Sequence, residues 1–198
     1  MYLYGASGHA KVIIDILQGK GISIAGLFDD NPDLKELNGI SVLGALANEQ
    51  QLEAPLIISI GNNSIRAKIA KELEVAYGQA IDKTAILSPS ATVDEGTVVM
   101  QGAVLQADVS VGKHAIVNTG AKVDHDCMIG DFAHVSPGAI LCGNVSVGEG
   151  TWIGAGAVVI PGVKIGKWCK VGAGAVVLRD LPDHVVAVGN PAKVIKKC

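Results

Sequence analysis

Hydrophobic residues recur at every sixth position from residue 81 to residue 177. The members of this series are all Ile, Leu or Val: Ile81, Leu87, Val93, Val99, Leu105, Val111, Val117, Val123, Ile129, Val135, Leu141, Val147, Ile153, Val159, Ile165, Val171 and Val177. Four residues after each comes a second series, whose members are small except for the last, Leu181. A six-residue period belongs neither to an α-helix nor to a simple β-strand. It predicts short parallel strands joined at corners, with the aliphatic residue inside.

This repeat resembles that of the hexapeptide-repeat acyltransferases, whose prism-shaped, left-handed parallel β-helix takes three hexapeptides for each coil. The resemblance implies the same fold here, and the uninterrupted series is long enough for about 5.7 coils. Carbonic anhydrases and purely structural segments also use this fold, so the repeat alone does not select a function.

The residues before position 81 lack the six-residue period and show the patterns of strands and helices. Strands are predicted at 2–4, 24–28 and 56–60, and helices at 11–18 and 64–74. In the second helix Ile65, Ile69 and Leu73 form the predicted apolar side, and the basic residues point outward. The order of elements predicts a small parallel sheet covered by helices, a Rossmann-like α/β unit.

Glycines follow the first predicted strand in the segment Gly5-Ala6-Ser7-Gly8-His9. They would let the backbone approach a phosphate at a helix N-terminus. Asp29 ends the second strand, where an acidic side chain can bind a ribose hydroxyl. The full G-x-G-x-x-G motif is absent and the unit is small, so a mononucleotide or a UDP-sugar fits better than a dinucleotide. The alternative is an ordinary strand–turn–helix connection.

Charge and composition narrow the classes of partner. A formal net charge of −3 predicts no basic surface for nucleic acid or for an anionic membrane. No apolar run approaches the roughly 18 residues of a membrane span, and the start of the chain has no secretory signal pattern. The four Cys residues lack C-x-x-C spacing. We therefore expect a reduced, cytoplasmic protein without disulfides, structural zinc or membrane insertion.

His125 and Asp126 are predicted at a corner of the β-helix, two and three residues after Val123. Their side chains should leave the prism, and Gly143, one coil further on, should leave space beside the imidazole. A His next to carboxylates can act as a general base, because the negative charge raises its pKa and fixes its tautomer. The alternative is a solvated corner His.

Four other residues have side chains that could take part in binding or catalysis. Asn118 and His134 are predicted outward on flat faces, where a ligand or a partner subunit could use them, although ordinary solvated side chains explain them equally well. Cys127 and Cys169 fall in the small interior series, so no thiol nucleophile is expected. No two His residues differ by a multiple of the 18-residue coil, which disfavours stacked metal ligands within one chain and a carbonic anhydrase.

Six segments in both halves of the chain extend the resemblance: Tyr4-Gly5-Ala6-Ser7-Gly8-His9, Phe28-Asp29-Asp30, Ile60-Gly61-Asn62-Asn63, Val123-Asp124-His125-Asp126-Cys127-Met128-Ile129-Gly130, Phe132-Ala133-His134-Val135-Ser136-Pro137-Gly138-Ala139 and Gly189-Asn190-Pro191-Ala192-Lys193. Together they resemble the bacterial nucleotide-sugar acetyltransferases. That group includes UDP-N-acetylbacillosamine N-acetyltransferases and sialic-acid O-acetyltransferases. The resemblance implies a nucleotide-sugar-binding domain at 1–80, an acetyltransferase β-helix at 81–182 and a C-terminal tail at 183–198.

The resemblance also implies a homotrimer with acetyl-CoA between adjacent β-helices. By analogy His125 is the general base and Asp126, where many relatives carry Glu, raises its basicity, while Asn118 lies in the active-site wall. The implied cofactor contacts are His134 at the acetyl end, the Gly143 backbone N–H at the thioester oxygen, and Ala155 and Ala173 along the pantetheine and adenine path. The implied nucleotide-sugar pocket contains Ser7, Gly8, His9, Asp29, Asp30, Gly61 and Ser64.

The expected reaction is acetyl transfer from acetyl-CoA to the 4-amino group of a UDP-4-amino-4,6-dideoxy sugar, without a metal. O-acetylation of sialic acid or another sugar hydroxyl is the alternative, because a His–Asp pair would serve either acceptor. A trimeric scaffold that only binds nucleotide sugars is a second alternative.

Overall fold

The computed structural model describes residues 1–46 and 52–198. Its N-terminal unit contains β1 Tyr2–Tyr4, α1 Gly8–Gly19, β2 Gly26–Phe28, β3 Glu36–Leu37, β4 Ile40–Ser41, β5 Leu56–Ile58 and α2 Asn63–Glu72. Strand β1 lies between β2 and β5 in a three-stranded parallel sheet. The predicted α/β unit is confirmed, with β2 and β5 each two residues shorter than expected.

The hairpin of β3 and β4 was not predicted. Asn38 and Gly39 join its strands with φ angles of 50° and 77°, which is the backbone geometry that Asn-Gly favours in a two-residue hairpin turn. The dipeptide between Leu37 and Ile40 was therefore the signal that the sequence prediction overlooked.

Helix α2 begins at a capping contact, in which the Asn62 side chain accepts a hydrogen bond from the Ile65 backbone N–H at 3.1 Å. Its predicted orientation is only partly correct, since Leu73 is buried and Ile69 packs against the same cluster, but two neighbouring residues differ from the prediction. Ile65 is 47 % exposed, whereas Arg66, expected to point outward, is 1 % exposed. The reason is that α2 packs against a corner of the β-helix, where backbone carbonyl groups receive the guanidinium.

The repeat region folds into parallel strands on three faces. A six-stranded face contains β7 Ile86–Leu87, β10 Val104–Leu105, β13 Lys122–Val123, β16 Ile140–Leu141, β19 Val158–Val159 and β22 Val176–Val177. A five-stranded face contains β8 Thr92–Val93, β11 Ser110–Val111, β14 Met128–Ile129, β17 Ser146–Val147 and β20 Lys164–Ile165. An eight-stranded face contains β6 Ala80–Ile81, β9 Val98–Val99, β12 Ile116–Val117, β15 His134–Val135, β18 Trp152–Ile153, β21 Lys170–Val171, β23 Val185–Val188 and β24 Lys193–Lys197.

Residues one coil apart pair in register, as Val117 does with Val135. This spacing confirms the predicted parallel β-helix. Strand β23 extends the eight-stranded face into the segment predicted as a tail, and β24 pairs with it antiparallel. Both interior series are buried from residue 97 onward and only partly buried in the first coil. Cys127 and Cys169 are 0 % and 1 % exposed, as expected for members of the small series.

The three corners use different residues at positions with positive φ. Between the eight- and six-stranded faces these are all glycine: Gly102, Gly120, Gly138, Gly156 and Gly174. Between the six- and five-stranded faces they are Asp108, Asp126, Asn144 and Gly162, residue types that tolerate this region. The corner between the five- and eight-stranded faces carries Gly96 and Gly150 and, in the same conformation, the bulky residues His114, Phe132 and Trp168. Such residues adopt positive φ only where their surroundings hold them.

The N-terminal unit packs on the outer surface of the eight-stranded face. Helix α1 contributes Ile13, Ile14 and other residues to one buried cluster with Val98 and Ile116, which point outward from the β-helix. His134, Trp152 and Lys170 continue this outward column at the same 18-residue spacing. These three side chains lie beyond the part of the face that α1 covers, and they line a cleft.

Candidate active site

A cleft of about 550 Å³ lies between the start of α2 and the eight-stranded face. It is lined by Gly61, Asn62, Asn63, Ser64, His134, Ser136, Pro137, Gly150, Trp152, Gly154, Ala155, Trp168, Cys169, Lys170 and Ala173. The walls are mostly apolar, with a few polar groups, as is typical of small-molecule sites. The cleft brings together Gly61 and Ser64 from the predicted sugar pocket with His134, Ala155 and Ala173 from the predicted cofactor path.

His134 is the most perturbed titratable group of this cleft. Burial lowers the pKa of its imidazole to about 3, and the nearby positive charge of Arg66 acts in the same direction. The ring therefore stays neutral at physiological pH. Its Nε2 lies 3.0 Å from the Asn118 side-chain nitrogen, and the Gly61 backbone lies close to the ring. His134 therefore lines the cleft as a neutral ring and cannot offer a ligand a positive charge.

One coil above His134, an indole forms part of the cleft wall. Trp152 is 45 % exposed, and its Nε1–H donates to Ser136 Oγ at 2.6 Å, which fixes the plane of the ring. Lys170 follows in the next coil. The cleft wall is therefore aromatic at Trp152 and positively charged at Lys170, and the small side chains Ala155 and Ala173 also line it.

His125 lies at the corner between the six- and five-stranded faces, as the sequence predicted. Its Nδ1 is 2.8 Å from Asp126 Oδ2, and both side chains are 59 % exposed. This hydrogen bond, followed by the charge of Asp124, raises the pKa of the imidazole. A Cβ at Gly143 would lie 2.6 Å from both Cε1 and Nε2. Only glycine leaves room for the ring, and Nε2 remains available to take a proton.

Within one chain the structure does not bring His125 to the cleft. His134 lies on a strand of the eight-stranded face, whereas His125 lies at the corner shared by the other two faces. The predicted catalytic and cofactor residues therefore form two separate groups. One contains His125, Asp126 and Gly143, and the other contains Asn118, His134, Ala155 and Ala173.

The Gly-rich segment connects β1 to α1 and is held by Asp29. The carboxylate accepts the Ala6 backbone N–H at 2.7 Å and the Asn31 backbone N–H at 2.9 Å. Asp30 accepts the Tyr4 hydroxyl at 2.8 Å, and burial, with this hydrogen bond, raises the pKa of Tyr4 to about 12. Asp29 thus shapes the loop, and its predicted contact with a ribose stays a prediction.

Ser7 and Gly8 are exposed at the start of α1, and the Ser7 side chain makes no capping bond. His9 follows them and is largely buried, and burial lowers its pKa to about 4. Among the described residues its Nε2 has no hydrogen-bond partner. The loop therefore exposes the Ser7 hydroxyl, whereas the His9 imidazole is neutral and its Nε2 is buried.

Sequence reasoning missed several cleft residues, including Asn63, Trp152, Trp168 and Lys170. Trp152 and Lys170 could have been found, because they occupy the same outward column as His134 one and two coils later. The contribution of Asn63 depends on how α2 docks, for which the chain offers no periodic signal.

The described residues contain no cluster of three or more His, Cys, Asp or Glu side chains placed to hold a metal ion. Neither helix in residues 1–46 and 52–198 is long and apolar enough to cross a bilayer.

Comparison with known proteins identifies the family. Residues 1–73 match the PglD N-terminal domain, and residues 144–179 match the bacterial transferase hexapeptide repeats. A crystal structure of perosamine N-acetyltransferase from Caulobacter crescentus, in complex with CoA and GDP-perosamine, is 41 % identical and superimposes with a TM-score of 0.92. The alignment covers 99 % of this chain and 96 % of that one. The chain belongs to the hexapeptide-repeat nucleotide-sugar acetyltransferases.

Two further members of the family agree with this assignment. The acetyltransferase domain of PglB from Neisseria gonorrhoeae is 36 % identical with a TM-score of 0.89, over 98 % of both chains. UDP-N-acetylbacillosamine N-acetyltransferase from Bacillus subtilis is 41 % identical over 107 residues, which are 50 % of each chain. The chain spans about half the length, or less, of the curated relatives it matches.

Proposed function

We propose that the protein transfers the acetyl group of acetyl-CoA to the 4-amino group of a nucleotide-linked 4-amino-4,6-dideoxy sugar, with UDP as the expected nucleotide. The observation that carries this proposal is the cleft, which joins Gly61 and Ser64 to His134, Ala155 and Ala173. A related crystal structure that contains both CoA and GDP-perosamine supports it. Two of the three relatives described above are named as N-acetyltransferases, which favours an amine over a hydroxyl acceptor.

In the proposed reaction the loop at Ser7, Gly8 and His9, with Asp29 and Asp30, holds the nucleotide. The amine attacks the thioester carbon, the new C–N bond forms, and the C–S bond breaks. His125 Nε2 takes the proton that the nitrogen loses, and the CoA thiolate leaves and is protonated. The Asp126 carboxylate keeps Nδ1 protonated, which directs Nε2 toward the acceptor.

The remaining groups position the acetyl end. In the proposal the Gly143 backbone N–H, beside the His125 ring, stabilises the negative oxygen of the tetrahedral intermediate. His134 and Asn118 lie at the acetyl end of the cofactor, where a neutral imidazole can hydrogen-bond a carbonyl oxygen. Ala155 and Ala173 leave room for the pantetheine arm.

We further propose that the protein acts as a homotrimer, because one chain separates His125 from the cleft. The six-stranded face presents an outward column that is apolar except for Lys122: Ile86, Val104, Ile140, Val158 and Val176. Ile86 is 64 % exposed. Packing this face against a neighbouring chain would bury the column and allow His125 of one chain to reach the cleft of the next.

The trimer proposal is tested by mixing inactive chains. His125→Ala and His134→Ala chains are co-expressed with different tags, and mixed assemblies are isolated and assayed. If each site takes its two residues from different chains, one of the three sites is intact in every mixed trimer. Activity no greater than that of either parent protein would show that both residues act from the same chain.

The reaction is tested by measuring release of the CoA thiol with four acceptors, the 4-amino and 4-hydroxy forms of a UDP-sugar and of a GDP-sugar. The chain contains two Trp residues, and both line the cleft, so CoA binding should change the intrinsic fluorescence. We expect thiol release with a 4-amino sugar only. Binding without release for every acceptor would favour a non-catalytic scaffold, and bound zinc in elemental analysis would favour the carbonic anhydrase interpretation.

A further inference from the structure

A buried guanidinium joins helix α2 to the β-helix. Arg66 is 1 % exposed, and burial lowers its pKa to about 9. Its Nε donates to the carbonyl oxygen of His114 at 2.7 Å and its Nη1 to that of Ile60 at 2.9 Å. Its Nη2 donates to the carbonyl oxygen of Phe132 at 2.8 Å and to Asn63 Oδ1 at 3.0 Å. These contacts satisfy a buried cation with neutral oxygen atoms, which demands accurate geometry.

The contacts follow the coil spacing of the β-helix. His114, Phe132 and Gly150 stack on one corner, 18 residues apart, and all three have positive φ. Arg66 binds the carbonyl groups of the first two, and Asn63 Nδ2 donates to the Gly150 carbonyl oxygen at 3.1 Å. The two side chains are three residues apart and lie on the same side of α2. Together they fix the start of the helix against three successive coils.

The segment fixed in this way forms one wall of the cleft. Ile60, whose carbonyl oxygen accepts from Arg66, directly precedes Gly61, and Gly61 lines the cleft together with His134. Ser64 lines the same cleft. A displacement of α2 along the corner would therefore move Gly61 and Ser64 relative to His134, whereas Ala155 and Ala173 belong to the β-helix and would stay in place.

We propose that Arg66 and Asn63 are positioning residues, which hold segment 60–64 at the register that aligns the acceptor sugar with the acetyl end of the cofactor. The part about the acceptor rests on the proposed function. Arg66 touches neither substrate in this proposal and acts through Gly61 and Ser64.

The first test compares Arg66→Lys and Arg66→Met with Lys68→Met, whose side chain is 75 % exposed on the same helix. A Val111→Ala variant in the β-helix interior controls for lost stability. We expect both Arg66 variants to raise KM for the nucleotide sugar about 10–100-fold, and to change KM for acetyl-CoA less than about threefold. Lysine should not restore function, because it lacks the planar fork that reaches several carbonyl groups at once.

The second test needs no catalysis. Ring nitrogen resonances of His134 are recorded with ¹⁵N-histidine, assigned through His134→Gln, in the wild type and in Arg66→Lys, which keeps the positive charge. The charged or titratable groups that face His134 are Arg66 and His9, so Arg66→Met would move these resonances through the loss of charge alone. We expect the His134 resonances to move in Arg66→Lys and to stay in place in Lys68→Met and Val111→Ala.

The outcomes are separable. Equal changes in both KM values, or unchanged His134 resonances, would overturn the proposal and leave Arg66 as a contact that only stabilises the fold. If the wild type transfers no acetyl group to any acceptor, the proposed function fails, and the His134 resonances alone then decide whether Arg66 positions the cleft.

Discussion

His125 and His134 are half a coil apart in the β-helix, yet their surroundings are opposite. His125 projects from a corner, and its hydrogen bond with Asp126 raises its pKa. His134 lies on a flat face beneath the N-terminal unit, and burial lowers its pKa to about 3. The position within the repeat, together with the part of the molecule that covers it, raises the pKa of one imidazole and keeps the other neutral.

Removing the exposed imidazole should have the largest effect. We expect His125→Ala to reduce kcat by roughly 10²–10⁴-fold, the usual contribution of a general base. Since the side chain is exposed, the melting temperature and oligomeric state should not change. Steady-state kinetics measure kcat, calorimetry measures the melting temperature, and analytical ultracentrifugation measures the oligomeric state. Activity within a fewfold of wild type would remove His125 from the proposed role.

Crowding the same imidazole should have a smaller effect. In Gly143→Ala the new Cβ would lie 2.6 Å from the His125 ring, so the ring must move. We expect kcat to fall about 10–100-fold. Gly19→Ala is the matched control, because a Cβ there meets nothing within 4 Å. If Gly143→Ala behaved like this control, the close approach seen here would not matter for the reaction.

Neutralising the partner of His125 should change the pH profile. The Asp126 hydrogen bond is the main cause of the raised pKa, so Asp126→Asn should lower that pKa and move the acidic limb of kcat/KM to lower pH. Because a weaker base transfers protons less well, we expect a loss of about three- to tenfold at pH 8. Asp124→Asn should shift the limb in the same direction by less. A limb that stays in place in both variants would contradict the assignment of the base.

The buried histidines should make the fold sensitive to acid. His9 and His114 have pKa values lowered to about 4 by burial, and His134 to about 3, against about 6.5 in the unfolded chain. As the pH falls below about 6.5, these histidines bind protons in the unfolded state but not in the folded state, so the free energy of unfolding decreases. We expect the melting temperature to drop by roughly 10 °C between pH 7 and pH 5.

The smallest expected effect comes from one of these residues. His114 stacks on Phe132 with ring centroids 5.2 Å apart and meets the edge of Tyr77, while its buried Nδ1 has no partner among the described residues. His114→Phe keeps the packing and removes the titrating group. We expect little change at pH 7 and a reduced loss of melting temperature at pH 5. An unchanged pH dependence would show that His114 does not contribute to the acid sensitivity.

Much of the His125 corner was predictable from local spacing. In a β-helix each residue's direction follows from its place in the six-residue repeat, and its neighbours one coil away are known in advance. The exposed His125–Asp126 pair and the closeness of Gly143 followed from this rule. The burial of His134 did not, because it depends on a unit that lies more than 60 residues earlier in the chain.

The N-terminal unit shows the limit of the same reasoning. Its helices and the three strands of its parallel sheet followed from local patterns, whereas the β3–β4 hairpin and the side on which α2 docks did not. Arg66 meets the carbonyl oxygen of His114, 48 residues away, and an isolated helical pattern assigns a basic residue to solvent. The apolar outward positions Val98 and Ile116 carried a partial signal, since outward positions need apolar side chains only where another element covers them.

By itself the sequence determined the coil, its interior and the exposed His125–Asp126 pair, because these depend on a pattern that recurs every 18 residues. Only the tertiary structure decided the cleft, the neutral state of His134 and the burial of Arg66. Each of these arises from contacts between segments far apart in the chain. The free energy of such contacts depends on how two folded surfaces fit together, so neither segment's sequence predicts it alone.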